Sequence, residues 1–175
     1  MKIKKIQLKI LNASDVSIKY LKWLNNSNIM KFTAQAGKRH TLSSVKKFVK
    51  EKRESKIEHL YGIYIFNSIK KNEEHIGNIK LGPINKRNLT ADVSYIIGEK
   101  KYWNKGYATQ AVKEISILAK KKFKLKKLQA GHQKINLASS KVLTRNKFKL
   151  EGIFKSQIKI GKNKRTDRYV YGLIL

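Results

Sequence analysis

The sequence contains no cysteine, which excludes disulfides and thiolate metal sites. It has one proline, Pro83, and no stretch rich in glycine, serine or proline that would mark a domain linker. No apolar run approaches the roughly 20 residues of a membrane-spanning helix. Lysines interrupt the N-terminal segment MKIKKIQLKILNA, so it lacks the apolar region of a signal peptide. We therefore expect a single domain over residues 1–175 and a cytoplasmic protein with no membrane span.

Acidic residues are also scarce, 11 against 41 basic residues, and the formal net charge is +30. Such a charge attracts polyanions. Arginine, however, which reads base edges and binds phosphate through two parallel hydrogen bonds, accounts for only six of the 41. The lysines are spread along the whole chain, in a composition that A/T-rich codons produce. We therefore interpret them mainly as a solvated surface and do not expect nucleic acid as a specific partner.

The first 58 residues predict one strand and two helices. Residues 6–11 suit a strand, and SDVSIKYLKWLNN predicts a helix with Ser14 or Asp15 as its N-cap. Thr41 is expected to cap a second helix over residues 42–54. The side chains expected to face the core are Val16, Tyr20, Trp23 and Leu24 in the first helix and Val45, Phe48 and Val49 in the second.

The rest of the chain predicts six strands and two further helices. Three strands follow one another with short polar turns, and the elements after them alternate. The predicted order is strands at 59–66, 75–82 and 91–98, a long helix from Ala108, a strand at 126–133, a short helix at 137–146, and strands at 150–160 and 167–174. This order predicts an α/β fold with a mixed sheet that is antiparallel in its first half, because a doubly wound nucleotide fold would alternate more regularly.

The segment YWNKGYATQAV places Gly106 immediately before the long helix. Unpaired backbone N–H groups and the positive end of the helix dipole meet there, which suits an anion. A residue without Cβ lets a diphosphate approach the main chain, and Lys100, Lys101 and Lys105 add positive charge. A glycine before a helix is more often a simple turn, so this position alone leaves both interpretations open.

Two longer segments carry a resemblance to a known family. YIIGEKKYWNKGYATQAV resembles motif A of the GNAT superfamily of acetyl-CoA-dependent N-acetyltransferases, and is most similar to its RimJ/RimL-like branch. NLASSKVLTRNKFKLEG resembles motif B, in which an Asn opens a short helix. Gly106 precedes Asn136 by 30 residues, and Asn136 precedes Phe148 by 12, in agreement with the family. The resemblance covers about residues 60–175.

The resemblance implies a mixed, mostly antiparallel central sheet flanked by helices, with acetyl-CoA between splayed central strands and no metal. The backbone of residues 103–109 would wrap the pyrophosphate, and strand residues 95–97 would pair with the pantetheine arm and polarise the acetyl carbonyl. Asn136 would hydrogen-bond the arm from the facing side. The cofactor-binding residues carried over are Tyr95, Ile96, Ile97, Trp103, Asn104, Lys105, Gly106, Tyr107, Ala108, Thr109 and Asn136.

The sequence departs from the family pattern at three positions. Asn104 stands where the branch usually has Gly, a mild change because Asn tolerates positive φ. Lys147 stands where a Gly precedes the motif B Phe, outside the cofactor loop, and should affect stability more than chemistry. Thr144 stands where many members have a Tyr that protonates the departing thiolate.

Two residues are candidates for the acid–base chemistry. Asp92 stands where the branch often has a strand carboxylate, and could act as the general base directly or through a water; the alternative is a carboxylate paired with lysines. Ser139 matches the Ser that gives the proton in the RimL-like pattern, or is a local capping group. Glu99 is a weaker base candidate, and His132 faces either the cleft or the core.

Other prominent side chains have structural interpretations. Trp23, Trp103 and Tyr107 are expected in the core. The lysines of residues 120–127 end the long helix, where cations suit the dipole. A contact from them to the 3′-phosphate of the cofactor is the alternative to solvation.

The acceptor must be a primary amine, because the implied reaction is attack of a neutral amine on a thioester. Deprotonating a lysine amine at pH 7 costs about 4.6 kcal/mol, against about 1 kcal/mol for an α-amine. An amino group of a nucleotide-linked sugar is slightly favoured, since IGNIKLGPIN, with ADVSYIIG after it, resembles branch members that acetylate such sugars. The alternatives are a RimJ/RimL-type protein N-terminus, ribosomal proteins above all, and a non-catalytic RNA- or ribosome-binding protein. The loop at about residues 25–40 is expected to shape the acceptor site, and an oligomer is possible.

Overall fold

The computed structural model describes residues 5–67, except the side chain of Asn67, and residues 72–175. Residues 1–4, the start of the N-terminal segment considered above, lie outside the described part. Within it, no helix is long and apolar enough to cross a membrane.

The described residues form seven strands and five α-helices. The strands are β1 (Ile6–Ile10), β2 (His59–Asn67), β3 (Asn72–Asn85), β4 (Thr90–Ile97), β5 (Lys127–Gln133), β6 (Lys149–Lys159) and β7 (Arg165–Ile174). The helices are α1 (Ile18–Leu24), α2 (Ser27–Met30), α3 (Leu42–Glu54), α4 (Tyr107–Lys121) and α5 (Leu137–Arg145). Short 3-10 turns lie at Ala13–Asp15 and Lys100–Tyr102.

The strands form one sheet in the order β1-β2-β3-β4-β5-β7-β6. All neighbours are antiparallel except β4 and β5, which are parallel. The predicted α/β fold with a mixed, mostly antiparallel sheet is therefore confirmed. The single parallel pair lies at the centre, where β4 and β5 are paired over only three residues each.

Helices pack on both faces of the sheet. On one face, α4 buries Ala111, Val112 and Ile115 against the central strands. On the other face, α1 and α3 bury a second cluster that includes Trp23 and Val49. Successive residues of a strand point to opposite faces, so each central strand contributes to both.

The second helix was predicted well. Thr41 is its N-cap: Thr41 Oγ1 accepts a hydrogen bond from the Ser44 amide at 3.1 Å, and Ser44 Oγ accepts one from the Thr41 amide at 3.0 Å. Val45 and Val49 are buried, but Phe48 is 39% exposed, so its predicted core position is wrong. Phe48 lies beside Lys52, whose ammonium is 5.3 Å from the ring centroid.

The first helix begins later than predicted. Ser14 and Asp15 do not cap it, because the Asp15 carboxylate accepts the Asn12 amide at 2.7 Å and closes a separate 3-10 turn. The chain is extended at Val16, and Ser17 then caps α1 through the Tyr20 amide at 3.1 Å. The short helix α2, capped by Asn26, lies in the loop for which no helix was predicted.

Candidate active site

The central feature of the site is the point where β4 leaves β5. Asp92 and Gln129 form the last pair between these strands. Beyond it, residues 93–97 of β4 pair only with β3, whereas β5 continues against β7. We call the Asp92–Gln129 pair the fork. A cleft between the two strands opens beyond the fork, as the predicted splaying requires.

The N-terminus of α4 follows the open end of β4. Gly106 is the N-cap with φ 80°, and Asn104 has φ 58°, so both occupy the left-handed region. The glycine provides no side-chain cap. Amides in the first turn of a helix have no intrahelical acceptor, so this turn directs unpaired N–H groups out of the helix. Asn104 replaces a glycine here because Asn tolerates this conformation.

Trp103 connects this loop to β4. Its indole Nε1 donates to the Ile97 carbonyl at 2.7 Å, and its side chain is 37% exposed, so the predicted core position is wrong. Residues of a strand alternate between its two edges. The Gly98 amide donates to the Ile76 carbonyl of β3 at 2.9 Å. The backbone groups of Ile96 therefore also face β3, and those of Tyr95 and Ile97 face the cleft.

Helix α5 faces the cleft from the other side. Asn136 caps it by accepting the Ser139 amide at 3.2 Å. At its other end, Asn146 Nδ2 donates to the Thr109 carbonyl in the first turn of α4 at 3.1 Å. The two motifs read from the sequence are therefore in direct contact.

Ser139 and Tyr95 meet across the cleft. Their hydroxyl groups are 2.8 Å apart, and burial raises the pKa of Tyr95 to about 12. The capping alternative for the Ser139 side chain is not observed, since Asn136 supplies the cap. The Thr144 hydroxyl donates to the Ser140 carbonyl at 3.0 Å within the same helix.

Asp92 lies at the fork on the face covered by α1 and α3. Its neighbours Ala91 and Val93 are buried on the opposite face, and its own side chain is exposed. Partial burial nevertheless raises the pKa of its carboxyl, which the nearby charges of Arg168 and Lys80 partly offset. Within the described residues, no lysine or arginine nitrogen forms an ion pair with Asp92, unlike the alternative expected from the sequence.

Arg168 was not identified from the sequence. It is half-buried on β7, and its guanidinium covers Gly131 of β5: a Cβ added there would lie 2.8 Å from Arg168 Nε. Arg168 pairs with Gln133 across the sheet. Gly131 is two residues from Gln129, so Arg168 and Asp92 share one face of the sheet. A glycine inside a predicted strand was the only available signal, since it indicates close approach of another group.

The loop over residues 25–40 borders the same face. Gln133 Nε2 donates to the Lys31 carbonyl at 3.4 Å, which connects the loop to the open end of β5. An open cavity of about 430 Å³ lies within the loop, and Met30, Lys38 and Arg39 contribute to its lining. The cavity lies in the loop that is expected from the sequence to shape the acceptor site, and this role stays a prediction.

The comparisons with known proteins agree with this geometry. A family model described as the acetyltransferase (GNAT) domain matches residues 6–149. The chain belongs to the GNAT acetyltransferase family. The chain is also 27% identical over 106 residues to the uncharacterized N-acetyltransferase p20 of Bacillus licheniformis. That match spans 61% of this chain and 58% of the relative's length.

Solved GNAT structures share the whole fold. A GNAT acetyltransferase from Bacillus anthracis superimposes with a TM-score of 0.81 at 22% identity, covering 99% of this chain and 96% of that one. Spermidine N-acetyltransferase from Vibrio cholerae, in complex with CoA and spermine, gives 0.83 at 18% identity, covering 97% and 95%. RimL, a ribosomal L7/L12 N-acetyltransferase in complex with CoA, gives 0.84 at 19% identity, covering 97% and 94%. At these identities the likeness establishes the fold, and neighbours with this GNAT fold bind CoA.

An ionic network holds the loop between β4 and α4 against β3, and sequence reasoning missed its centre, Glu74. Glu74 accepts Tyr102 Oη at 2.8 Å and pairs with Lys101 at 2.7 Å. Burial alone would raise the pKa of Glu74, but the hydrogen bonds from Lys101 and Tyr102 and the charge of Lys19 lower it to about 2. Lys101 is therefore engaged by Glu74 and is not a free phosphate contact.

Glu99 belongs to the same network. Its carboxylate accepts the Trp23 indole N–H at 2.8 Å and lies 3.7 Å from Lys19 Nζ. The weaker base candidate of the sequence therefore connects α1 to the loop that follows β4.

His132 and the lysines at the end of α4 lie away from the fork. His132 is 5% exposed and stacks on Tyr171 with ring centroids 5.2 Å apart, on the face of α4 and α5. It is a core residue. Lys121, at the end of α4, lies about 22 Å along the helix from Gly106, too far for a contact with a phosphate bound there. In residues 5–67 and 72–175, no group of three His, Asp or Glu could hold a metal.

Proposed function

We propose that this protein is an acetyl-CoA-dependent N-acetyltransferase that transfers an acetyl group to a primary amine, and that residues 1–175 form a single domain with this activity. The observation that carries the proposal is the fork: β4 leaves β5 immediately before a glycine-capped helix whose first turn has unpaired amides. Family membership and the shared fold support it.

The residues around the cleft divide the binding of acetyl-CoA between them. The amides of residues 103–109, with Gly106 at their centre, bind the pyrophosphate, as helix N-termini bind phosphates. Lys105 adds charge at this turn. The cleft-facing backbone groups of Tyr95 and the Ile97 amide pair with the pantetheine arm, since the Ile97 carbonyl already accepts the Trp103 indole N–H. Ile96 holds the strand in place against β3. Asn136 reaches the arm from α5 through Nδ2, since its Oδ1 already accepts the Ser139 amide.

Asp92 and Ser139 carry the proton transfers. Asp92 accepts a proton from the incoming amine, directly or through a water, and the amine nitrogen forms a bond to the acetyl carbon. The Tyr95 amide stabilises the negative charge that develops on the carbonyl oxygen. As the carbon–sulfur bond breaks, the Ser139 hydroxyl, held by Tyr95, donates to the departing sulfur.

The acceptor we propose is a protein N-terminal α-amine. A single carboxylate at the fork is a modest base, and an α-amine costs only about 1 kcal/mol to deprotonate at pH 7. RimL is a ribosomal L7/L12 α-N-protein acetyltransferase, and its fold matches 97% of this chain. The nucleotide-linked sugar, slightly favoured by the sequence, has no counterpart among the similar proteins described above.

Two assays test the proposal: acetyl-CoA binding by calorimetry, and CoA thiol release with peptides that bear ribosomal N-termini and with nucleotide-linked amino sugars. Gly106→Glu should abolish acetyl-CoA binding because it places bulk and negative charge at the pyrophosphate. Gly161→Glu, in the exposed β6–β7 turn where a Cβ meets only Lys164 at 3.6 Å, is the matched control. Gly106→Asn, which tolerates the left-handed conformation and adds bulk without charge, should weaken binding less than Gly106→Glu does.

Intact acetyl-CoA affinity in a folded Gly106→Glu variant would overturn the site. A wild-type protein that does not bind acetyl-CoA but binds RNA with steep salt dependence would instead support the non-catalytic alternative.

A further inference from the structure

The side chains of Asp92, Gln129 and Arg168 lie on one face of the sheet near the fork. Asp92 and Gln129 are paired, and Gly131 and Gln133 follow Gln129 on the same face of β5. The Arg168 guanidinium covers Gly131. A cation and a carboxylate therefore lie close together on the face bordered by the loop of residues 25–40.

Arg168 interacts electrostatically with Asp92, but the two groups do not form a direct ion pair. Among residues 5–67 and 72–175, no carboxylate oxygen forms an ion pair with it, whereas Asp167, its neighbour in sequence, pairs with Lys134 and Lys155. The loop side of the face cannot supply one, since the sequence has no Asp or Glu from Val16 to Lys50. A half-buried guanidinium without a carboxylate retains most of its hydrogen-bonding capacity for a ligand.

Gly131 gives Arg168 this position. A Cβ at residue 131 would lie 2.8 Å from Nε and 3.1 Å from Nη2, so a side chain there would require the guanidinium to shift. Arg168 therefore extends along the sheet toward the fork. Asp92 is near enough to interact with its charge but forms no direct ion pair with it, so the guanidinium donors stay available to an anion.

We propose that Arg168 binds a carboxylate or phosphate of the acceptor, and so selects amines that carry an anionic group near the reacting nitrogen. This inference rests on the proposed function, because it assigns the amine to Asp92. Gln129 and Gly131, which mark the two positions, are about 7 Å apart along β5. An α-amine and an acidic side chain in the next residues of a peptide span a similar distance, as do the amine and phosphate of a small amino-nucleotide.

The test compares acceptors in matched pairs at one pH. The first pair is a peptide beginning Ser-Glu-Glu and its Ser-Gln-Gln counterpart; the second is an amine that carries a phosphate and the same amine without it. We expect wild-type kcat/KM to favour the anionic member by at least about 10-fold in one pair, which is the effect of a charge-assisted hydrogen bond. The pair that shows the preference identifies the source of the anion.

Arg168→Met should remove this preference, bringing the ratio within a pair close to one, while KM for acetyl-CoA stays within about 2-fold of wild type. Arg168→Lys should retain part of it, because lysine keeps the charge but not the planar pair of donors. Arg53→Met, on the exposed side of α3, is the control and should leave the ratio unchanged. Thermal melting of each variant reports whether it folds.

Either of two results would overturn the inference. In the first, Arg168→Met lowers kcat/KM by the same factor for charged and neutral acceptors, which would make Arg168 structural. In the second, the protein binds acetyl-CoA but acetylates neither anionic acceptor, or prefers the neutral one. Failure of acetyl-CoA binding would instead refute the proposed function itself, so the two failures are distinguishable.

Discussion

The two sides of the fork differ in how the chain builds them. The proposed cofactor side comes from two short segments, residues 95–109 and 136–146, and most of its groups are backbone amides and carbonyls. The proposed acceptor side brings together side chains from distant positions, Asp92 and Arg168 among them, and a loop before residue 41. Backbone groups at the end of a strand and the start of a helix suit acetyl-CoA, which stays the same whichever amine is the acceptor. Side chains from separate strands can vary independently, so the acceptor can change without altering cofactor binding.

The largest effect should come from removing the base on the acceptor side alone. Asp92→Asn should lower kcat by about 100-fold or more, the usual contribution of a general base. Acetyl-CoA affinity should be unchanged, because the cofactor groups lie beyond the fork. Steady-state kinetics with any accepted amine, together with calorimetry, measures both, and Glu54→Gln on α3 is the control.

The pH profile sharpens the same test. Because partial burial raises the pKa of Asp92, wild-type kcat/KM should fall with decreasing pH at a value above the ordinary range for Asp, and Asp92→Asn should lose this acidic limb. An unchanged profile in a variant that keeps most of its activity would remove Asp92 from the mechanism.

A second large effect, on stability, is expected at Glu74, which contacts the loop before α4 through Lys101 and Tyr102. Glu74→Gln should reduce the free energy of unfolding by about 2 kcal/mol at pH 7, because it removes the anion that Lys101 and Lys19 surround. It should also raise KM for acetyl-CoA, since the loop before α4 loses its anchor. Urea denaturation and steady-state kinetics measure the two effects.

The pH dependence of this stability difference has a definite sign. The pKa of Glu74 is lowered to about 2 in the folded protein, so its contribution is fully present above the unfolded value and disappears as pH falls toward about 2. Glu73→Gln is the neighbouring control: its pair with Lys9 is about 40% exposed on both sides and should contribute under 1 kcal/mol. Equal losses in the two variants would contradict the anchoring role.

A smaller effect is expected on the cofactor side. Ser139→Ala should lower kcat by about 10-fold, because the departing sulfur loses a hydrogen-bond donor. Tyr95→Phe should have a similar effect. The fold-loss of kcat in the double variant should be smaller than the product of the two single losses, because the two hydroxyl groups act as one pair. Ser43→Ala, exposed on α3, is the control. Full additivity would show that the Ser139–Tyr95 contact does not carry the proton.

The smallest expected effect concerns a departure from the family pattern. Lys147 has φ 65° after the end of α5, a conformation that favours glycine. Lys147→Gly should therefore stabilise the protein by about 1 kcal/mol, with kcat unchanged. Lys149→Gly, in β6, should destabilise it. Thermal unfolding distinguishes the two, and a loss of stability in Lys147→Gly would contradict the assignment of strain.

The sequence predicted most elements of the fold because its signals are local. Thr41 and Ser44 form a capping pair three residues apart, and the period of Ala111, Val112 and Ile115 marks one helix face. The predicted start of the first helix was wrong because Asp15 could cap that helix or close the preceding 3-10 turn. Its carboxylate accepts the Asn12 amide, so it closes the turn.

Sequence reasoning indicated the candidate site residues that lie together in short segments, and missed those that only the sheet brings together. Gly106 and Asn136 belong to short motifs that resemble those of the GNAT family, so the resemblance indicated them. Arg168 and Glu74 could not be found this way, because their roles depend on strand neighbours that are adjacent only in the sheet. Trp103 was misplaced in the core for a related reason: its partner is a backbone carbonyl at the edge of the cleft, which composition does not reveal.

Amide hydrogen exchange with and without acetyl-CoA tests the central claim most directly. If the cofactor fills the cleft beyond the fork, the amides of Tyr95, Ile97 and residues 107–109 should gain strong protection. The amides of residues 120–126, at the far end of α4, should not change. Protection confined to that lysine-rich end, or none at the cleft despite binding, would contradict the account.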